Sequence, residues 1–310
     1  MDKFNKPKLS VAKQVAYLET KGIKFNVCDK ESAIDFLTNN SYLFKIKAYA
    51  KNYTKQDDGT YINLEFAYLK ELSTIDMHLR RFILTLTLNI EHLLKTKLLR
   101  DFNEDNCDGY AIIDDYLNAN PKQKNYFLNY NKHDFTAKDN IINKYIADLS
   151  IWNLIEILEF KNFTNFCDFY YSKFPNQEYA KIKNMLTSVQ FVRNAAAHNN
   201  CLINNLNPID KFRPTYQVMS FLNSHLRSSK KSIKNKMKNP FVNNFLCSFL
   251  IFNILCKTKP MKKATVVELM NLLKRARRHR SFYESNNKLT SIYAFLVKSS
   301  AIIKRNFMRF

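Results

Sequence analysis

Glycine is nearly absent from this chain, with three residues in 310, and proline contributes only seven. Tight hairpin turns draw heavily on both, so a sandwich or barrel of many short strands is excluded. None of the three glycines stands in a phosphate-binding loop pattern, which removes the P-loop nucleotide hydrolases. The six cysteines, Cys28, Cys107, Cys167, Cys201, Cys247 and Cys256, form no CxxC pair and share no spacing with nearby histidines. Neither a zinc site nor a disulfide framework is expected, and the thiols read as those of a reduced, cytoplasmic protein. The opening residues, MDKFNKPKLS, lack the apolar core of a signal peptide. The most apolar run, residues 245–256, is shorter than the roughly 20 residues that span a bilayer and predicts a buried helix. No membrane partner is expected.

What the chain does have is Leu, Ile, Phe and Tyr recurring at three- and four-residue intervals, the helical period, so an all-α fold follows. Residues 8–21 predict a first helix with Ser10 as its cap and Gly22 as its stop, and Asp29 can cap a second that runs to about Asn39. Residues 42–53 fit helix or extended chain, and Asp57-Asp58-Gly59 marks a turn. The strongest periodicity covers residues 64–101, as one long helix or two stacked end to end, followed by an acidic loop over 101–115. Ser150 opens a helix carrying Trp152, and Pro175 precedes a helix over about 178–199. Residues 227–240 are basic without an acid and predict an exposed linker. Thr265 and Glu268 make a capping-box pattern before a helix over 266–280. The organisation expected is an N-terminal helical region (1–60), a helical core (61–210) and a basic helical extension (211–310).

Charge is distributed unevenly. The net +22 splits into 27 Lys+Arg against 25 Asp+Glu in residues 1–210, and 22 against 2 (Glu268 and Glu284) in residues 211–310. A field of that sign attracts polyanions by phosphate contacts and counterion release. Candidate RNA-binding residues are Lys230, Lys231, Lys234, Lys274, Arg275, Arg277, Arg278 and Arg280. A plain solvated surface is the simpler explanation of such a region, but a general lysine bias would not leave the first 210 residues nearly neutral.

One constellation carries candidate chemistry: FVRNAAAHNN, with Arg193, Asn194 and His198. The alanines favour helix, and on a helix Asn194 and His198 lie four apart on one face. Arg193 lies about 140° around the axis from His198, so it needs its long side chain, a bent helix or a partner subunit to share a site. RNA carries its own nucleophile, the 2′-hydroxyl. An imidazole can take or return its proton, and a guanidinium can hold the phosphate and stabilise the charge that builds on it. No metal and no cofactor is required. The competing explanation is a packed His198 with Arg193 in a surface ion pair, and spacing alone does not separate the two.

RNAAAHNN resembles the R-x(4–6)-H motif of the HEPN ribonucleases, including the polar residue after the arginine. KPKLSVAKQVAYLETKGIKF, SAIDFLTNNSYLFKIKAYAKNY, LKELSTIDMHLRRFILTLTLNIEHLLKTKLL and LSIWNLIEILEFKNFTNF resemble, in order, blocks of the bacterial abortive-infection proteins of the Abi D/F-like group, together covering residues 6–206. The chain departs from that pattern at Lys161, where glycine is common, and at Asn199, Asn200 and Cys201, where His and Arg are common. The resemblance implies a HEPN-type helical bundle, a homodimeric and metal-independent ribonuclease centre at Arg193, Asn194 and His198, and a role in phage defence or as a toxin. It also implies RNA as the partner, in some relatives a small structured RNA. The alternatives are a non-catalytic RNA-binding protein, and a DNA-binding regulator using residues 266–280 as a groove helix. Of the other histidines, His78 and His92 read as helix-face or core residues, His133 as part of a polar loop, and His225 and His279 as possible phosphate contacts. Arg80 and Arg81, beside Glu91, read as a salt-bridged helix surface.

Overall fold

The computed structural model describes residues 8–130 and 136–307. His133, expected in a polar loop, and the first seven residues lie outside that range. Among the described residues the regular structure is almost all helix. It runs α1 (Val11–Thr20), α2 (Lys30–Asn39), α3 (Leu43–Tyr49), α4 (Phe66–Glu104), α5 (Ala111–Ala119), α6 (Pro121–Leu128), α7 (Ala137–Tyr145) and α8 (Ile151–Ile157). It continues through α9 (Phe160–Lys173), α10 (Gln177–Ile182), α11 (Leu186–Ala197), α12 (Tyr216–His225), α13 (Lys230–Met237), α14 (Pro240–Leu255), α15 (Lys259–Arg275) and α16 (Asn287–Phe307).

The N-terminal caps form as their residues dictate. Ser10 accepts the amide of Lys13, Asp29 accepts that of Ser32, and Gly22 takes φ +78° to end the first turn-out. The same turn lets Ile23–Lys24 pair in parallel with Leu64–Glu65, a two-residue sheet that helical periodicity does not announce. Residues 42–53 resolve to helix, α3 and a 3₁₀ turn at Ala50–Asn52.

Three helices make the centre. α4 is one unbroken helix of 39 residues, about 58 Å long at 1.5 Å per residue. α11 and α14 pack against it and against each other, α16 covers α14, and α15 and α3 flank α4. α14 holds the most apolar run and is buried on every face, including Asn243, Ser248 and Asn253. Among the described residues no helix is long and apolar enough to cross a membrane. A single hydrophobic cluster runs from Val15 through Leu86 and Val189 to Ile303, so the basic final third contributes to the same interior as the first two.

Four expectations need correction. Residues 227–240 are not a linker: Ser229 caps α13, and its Ile233 and Met237 are wholly buried, which gives a basic segment an anchored helix. The helix with Glu268 begins at Lys259 with Pro260 in its first turn, so Thr265 is a buried mid-helix residue and not a cap. The helix over 178–199 is broken by a 3₁₀ turn at Lys183–Met185 into α10 and α11. The acidic loop is shorter than expected, since α4 continues to Glu104 and α5 starts at Ala111.

Gly109 lies in that loop because Trp152 needs the space. A Cβ there would sit 2.8 Å from the Trp152 ring, which also packs on Phe102 and Tyr110. The Gly109 carbonyl accepts the Ile151 amide at 2.9 Å, so the loop cannot simply retreat. Gly109→Ala is expected to cost about 1–3 kcal/mol by overpacking, read as a lower urea midpoint; an unchanged midpoint would show that the loop yields.

Candidate active site at the end of α11

α11 buries Leu186, Val189, Val192 and Ala196 against α4 and α14. This leaves a stripe of Thr187, Phe191, Asn194 and His198 facing outward. The helix ends in a Schellman turn. The Asn200 amide bonds the Ala195 carbonyl at 2.9 Å and the Asn199 amide bonds the Ala196 carbonyl at 3.1 Å. Asn199 supplies the left-handed residue, φ +56°, a conformation asparagine accepts more readily than most. His198 is therefore the C-cap, its amide on the Asn194 carbonyl at 2.9 Å and its imidazole exposed. Asn194, one turn earlier, is exposed as well.

The chain leaving this turn is tied down by groups that sequence reasoning did not single out. Lys45 donates to both the carbonyl and the side-chain oxygen of Asn199, at 3.2 and 2.9 Å. Asp76, fully buried, accepts the Leu202 amide at 3.0 Å, the Ile203 amide at 3.1 Å, the Tyr49 hydroxyl at 2.8 Å and the Arg80 guanidinium. Asn52 donates to the Ile203 carbonyl at 2.8 Å and accepts the Leu206 amide at 2.8 Å. Burial pushes the Asp76 carboxyl up from its ordinary range, against the pull of Arg80, Tyr49 and the two amides. Burial and neighbouring Arg80 push the Lys45 ammonium down. The spacing that could have revealed the pair is Asp76 and Arg80 at i and i+4, flanked by Ile75 and Leu79 on the buried face.

Arg193 turns the other way. Its guanidinium lies 3.1 Å from Glu91 Oε2 of α4 and over the Phe160 ring of α9, 5.7 Å from the centroid. Glu91 Oε2 is buried and makes no hydrogen bond, so the contact is an ion pair off the hydrogen-bonding line. Arg193 is 29 % exposed, which leaves its donors within reach of a ligand at the surface. Within one chain its contacts are with Glu91 and Phe160, while Asn194 and His198 share the outer stripe. This also corrects the reading of Arg80, Arg81 and Glu91: Arg80 is buried on Asp76, and the partner of Glu91 is Arg193.

The basic residues divide. Lys230, Lys231, Lys234, Lys274, Arg277 and Arg278 are exposed, and Arg280 is exposed but pairs with Glu284 at 3.1 Å. Arg275 is turned inward, its guanidinium doubly bonded to the buried Glu71, 3.0 Å for Nη2–Oε2. His225 bonds its own helix through the Phe221 carbonyl at 2.8 Å, and His279 stacks on Phe282. His78 is half-buried and pushed down by burial and Arg275, while His92 is exposed.

The family described as Abi-like protein matches residues 35–204, more than half of the chain and all of the site from Lys45 to Ile203. No curated protein and no solved structure matches the chain.

Proposed function

We propose that this chain, which belongs to the Abi-like protein family, is a phage-defence endoribonuclease of HEPN type that works as a homodimer without a metal. The observation that carries the proposal is the exposed His198 imidazole on a helix end fixed by Lys45 and Asp76, with the partly exposed Arg193 one residue before Asn194. In the proposed reaction the RNA 2′-hydroxyl attacks the adjacent phosphorus and loses its proton to one imidazole. The 5′ oxygen departs and takes a proton from the other, leaving a 2′,3′-cyclic phosphate and a 5′-hydroxyl. Arg193 holds the phosphate oxygens as charge builds on them, and Asn194 orients imidazole or substrate.

Two copies supply the two imidazoles. Phe191 is 61 % exposed on the same stripe as His198, and Leu88 is 55 % exposed one turn before Glu91. Apolar side chains of that size flanking a polar pair suit a twofold contact centred on the motif. The basic final third is the RNA-holding surface. Combined Lys230→Ala, Lys231→Ala and Lys234→Ala is expected to flatten the dependence of log affinity on log salt by about 2 for single-stranded RNA; an unchanged slope would place the RNA elsewhere.

A second reading, a non-catalytic holder of a structured RNA, is favoured by one observation: Glu91 already neutralises Arg193. The experiment that separates them is cleavage of RNA by the purified chain in EDTA, with Arg193→Ala and His198→Ala beside it. Cyclic-phosphate ends from the parent and none from either variant support the nuclease. RNA bound intact by all three supports the holder, and cleavage by the parent abolished in EDTA would sink the metal-free chemistry.

A further inference from the structure

We infer that the cavity between α4, α14, α15 and α16 binds a free long-chain carboxylate, a single alkyl chain with one anionic end. The cavity measures about 800 Å³, within the range of small-molecule sites, and is partly open to solvent. Its walls are apolar: Leu72 and Ile75 from α4, Phe241 and Phe245 from α14, Leu273 from α15 and Ile292 from α16. Cores are packed to crystal density, so a space of this size among leucines and phenylalanines forfeits dispersion contacts along every wall unless something fills it.

The charge at the rim specifies the filling. Arg277 and Arg280 both line the cavity and are exposed, and Glu284, the one acid on the lining, is engaged by Arg280 at 3.1 Å. Arg277 has no ion-pair partner among the described residues. An apolar interior with one uncompensated guanidinium at its mouth complements a molecule that is apolar along its length and anionic at its end, and a guanidinium fork matches a carboxylate with two parallel hydrogen bonds. A neutral lipid leaves Arg277 unused, and a short anion leaves the walls bare. A flat membrane surface does not enter a concave site. The wall also includes Ile203 and Leu206, from the segment that Asp76 and Asn52 tie down after His198, but the binding does not depend on the nuclease reading.

The test is equilibrium titration of the full chain with a fluorescent polyene fatty acid below its micelle concentration, with hexadecanoate, hexadecanol and butyrate as competitors. Saturable binding at one site per chain is expected, displaced by hexadecanoate and at least tenfold less well by hexadecanol, with butyrate inactive. Ala294→Trp, at an exposed lining position of α16, should plug the mouth and abolish binding, and Arg277→Gln should weaken it about tenfold, with the melting temperature of each apo variant recording that it folds. Absence of saturable binding, or binding indifferent to both substitutions, overturns the assignment. So does binding to anionic phospholipid vesicles without binding to the free acid.

Discussion

Asp76→Ala is expected to lower the unfolding free energy by about 3–5 kcal/mol, the cost of leaving one member of a buried ion pair without its partner. The physical reason is concentrated in one carboxylate. Asp76 receives Arg80, the Tyr49 hydroxyl and the amides of Leu202 and Ile203, and all of these donors lie in the interior. Alanine removes every acceptor at once, and each stranded donor forfeits its exchange for water. A loss of this size is at least a fifth of the roughly 5–15 kcal/mol that holds a typical domain together. Asp76→Asn keeps one carbonyl oxygen for the amides but turns an NH₂ toward Arg80 or Tyr49, so it should fall between parent and alanine. The double change Asp76→Leu with Arg80→Met removes the charge problem but not the two unpaired amides, and should recover part of the loss. Urea denaturation with matched slopes measures all three. If Asp76→Ala unfolds within about 1 kcal/mol of the parent, the network does not hold the chain after His198 as described.

That network marks the limit of what the linear sequence reveals. Ser10, Asp29, Ser150 and Gly22 act on their nearest neighbours, so their roles as caps and stop are readable residue by residue. The apolar run of α14 likewise specifies its own burial. The sequence misleads where a few anchors decide: α13 is basic enough to pass for a linker, and two wholly buried side chains, Ile233 and Met237, make it a packed helix. α15 starts after Thr258 with Pro260 in its first turn, so the capping-box pattern at Thr265 and Glu268 falls inside the helix, where Thr265 is buried. For the site, Arg193, Asn194 and His198 stand out through local spacing. Glu91, Asp76 and Lys45 are 107, 122 and 153 positions from His198 and meet the motif only through folding; the i, i+4 spacing of Asp76 and Arg80 marks a pair but not its link to the motif.

His198→Ala should leave the fold intact, since its imidazole is exposed, and lower RNA cleavage by about 10²–10⁴, the usual contribution of a general acid or base. Arg193→Ala should cost a comparable factor through lost stabilisation of the phosphate, about 10²–10³. The informative variant is Glu91→Gln. Its carboxylate lies 3.1 Å from Arg193 Nη2, whose guanidinium also lies over Phe160, so in the proposed reaction it would act only through Arg193. Glutamine preserves the length of the side chain and a carbonyl oxygen while removing the charge. It frees Arg193 for phosphate at the expense of a less fixed guanidinium, so KM should fall while kcat declines by less than in Arg193→Ala. Combined with Arg193→Ala, Glu91→Gln should add nothing, because two residues acting through one interaction are not additive. Single-turnover cleavage by the parent and the four variants, with melting temperatures alongside, distinguishes this from a structural role: additive losses in the double variant would detach Glu91 from Arg193, and full activity in His198→Ala would remove the imidazole from the proposed reaction altogether.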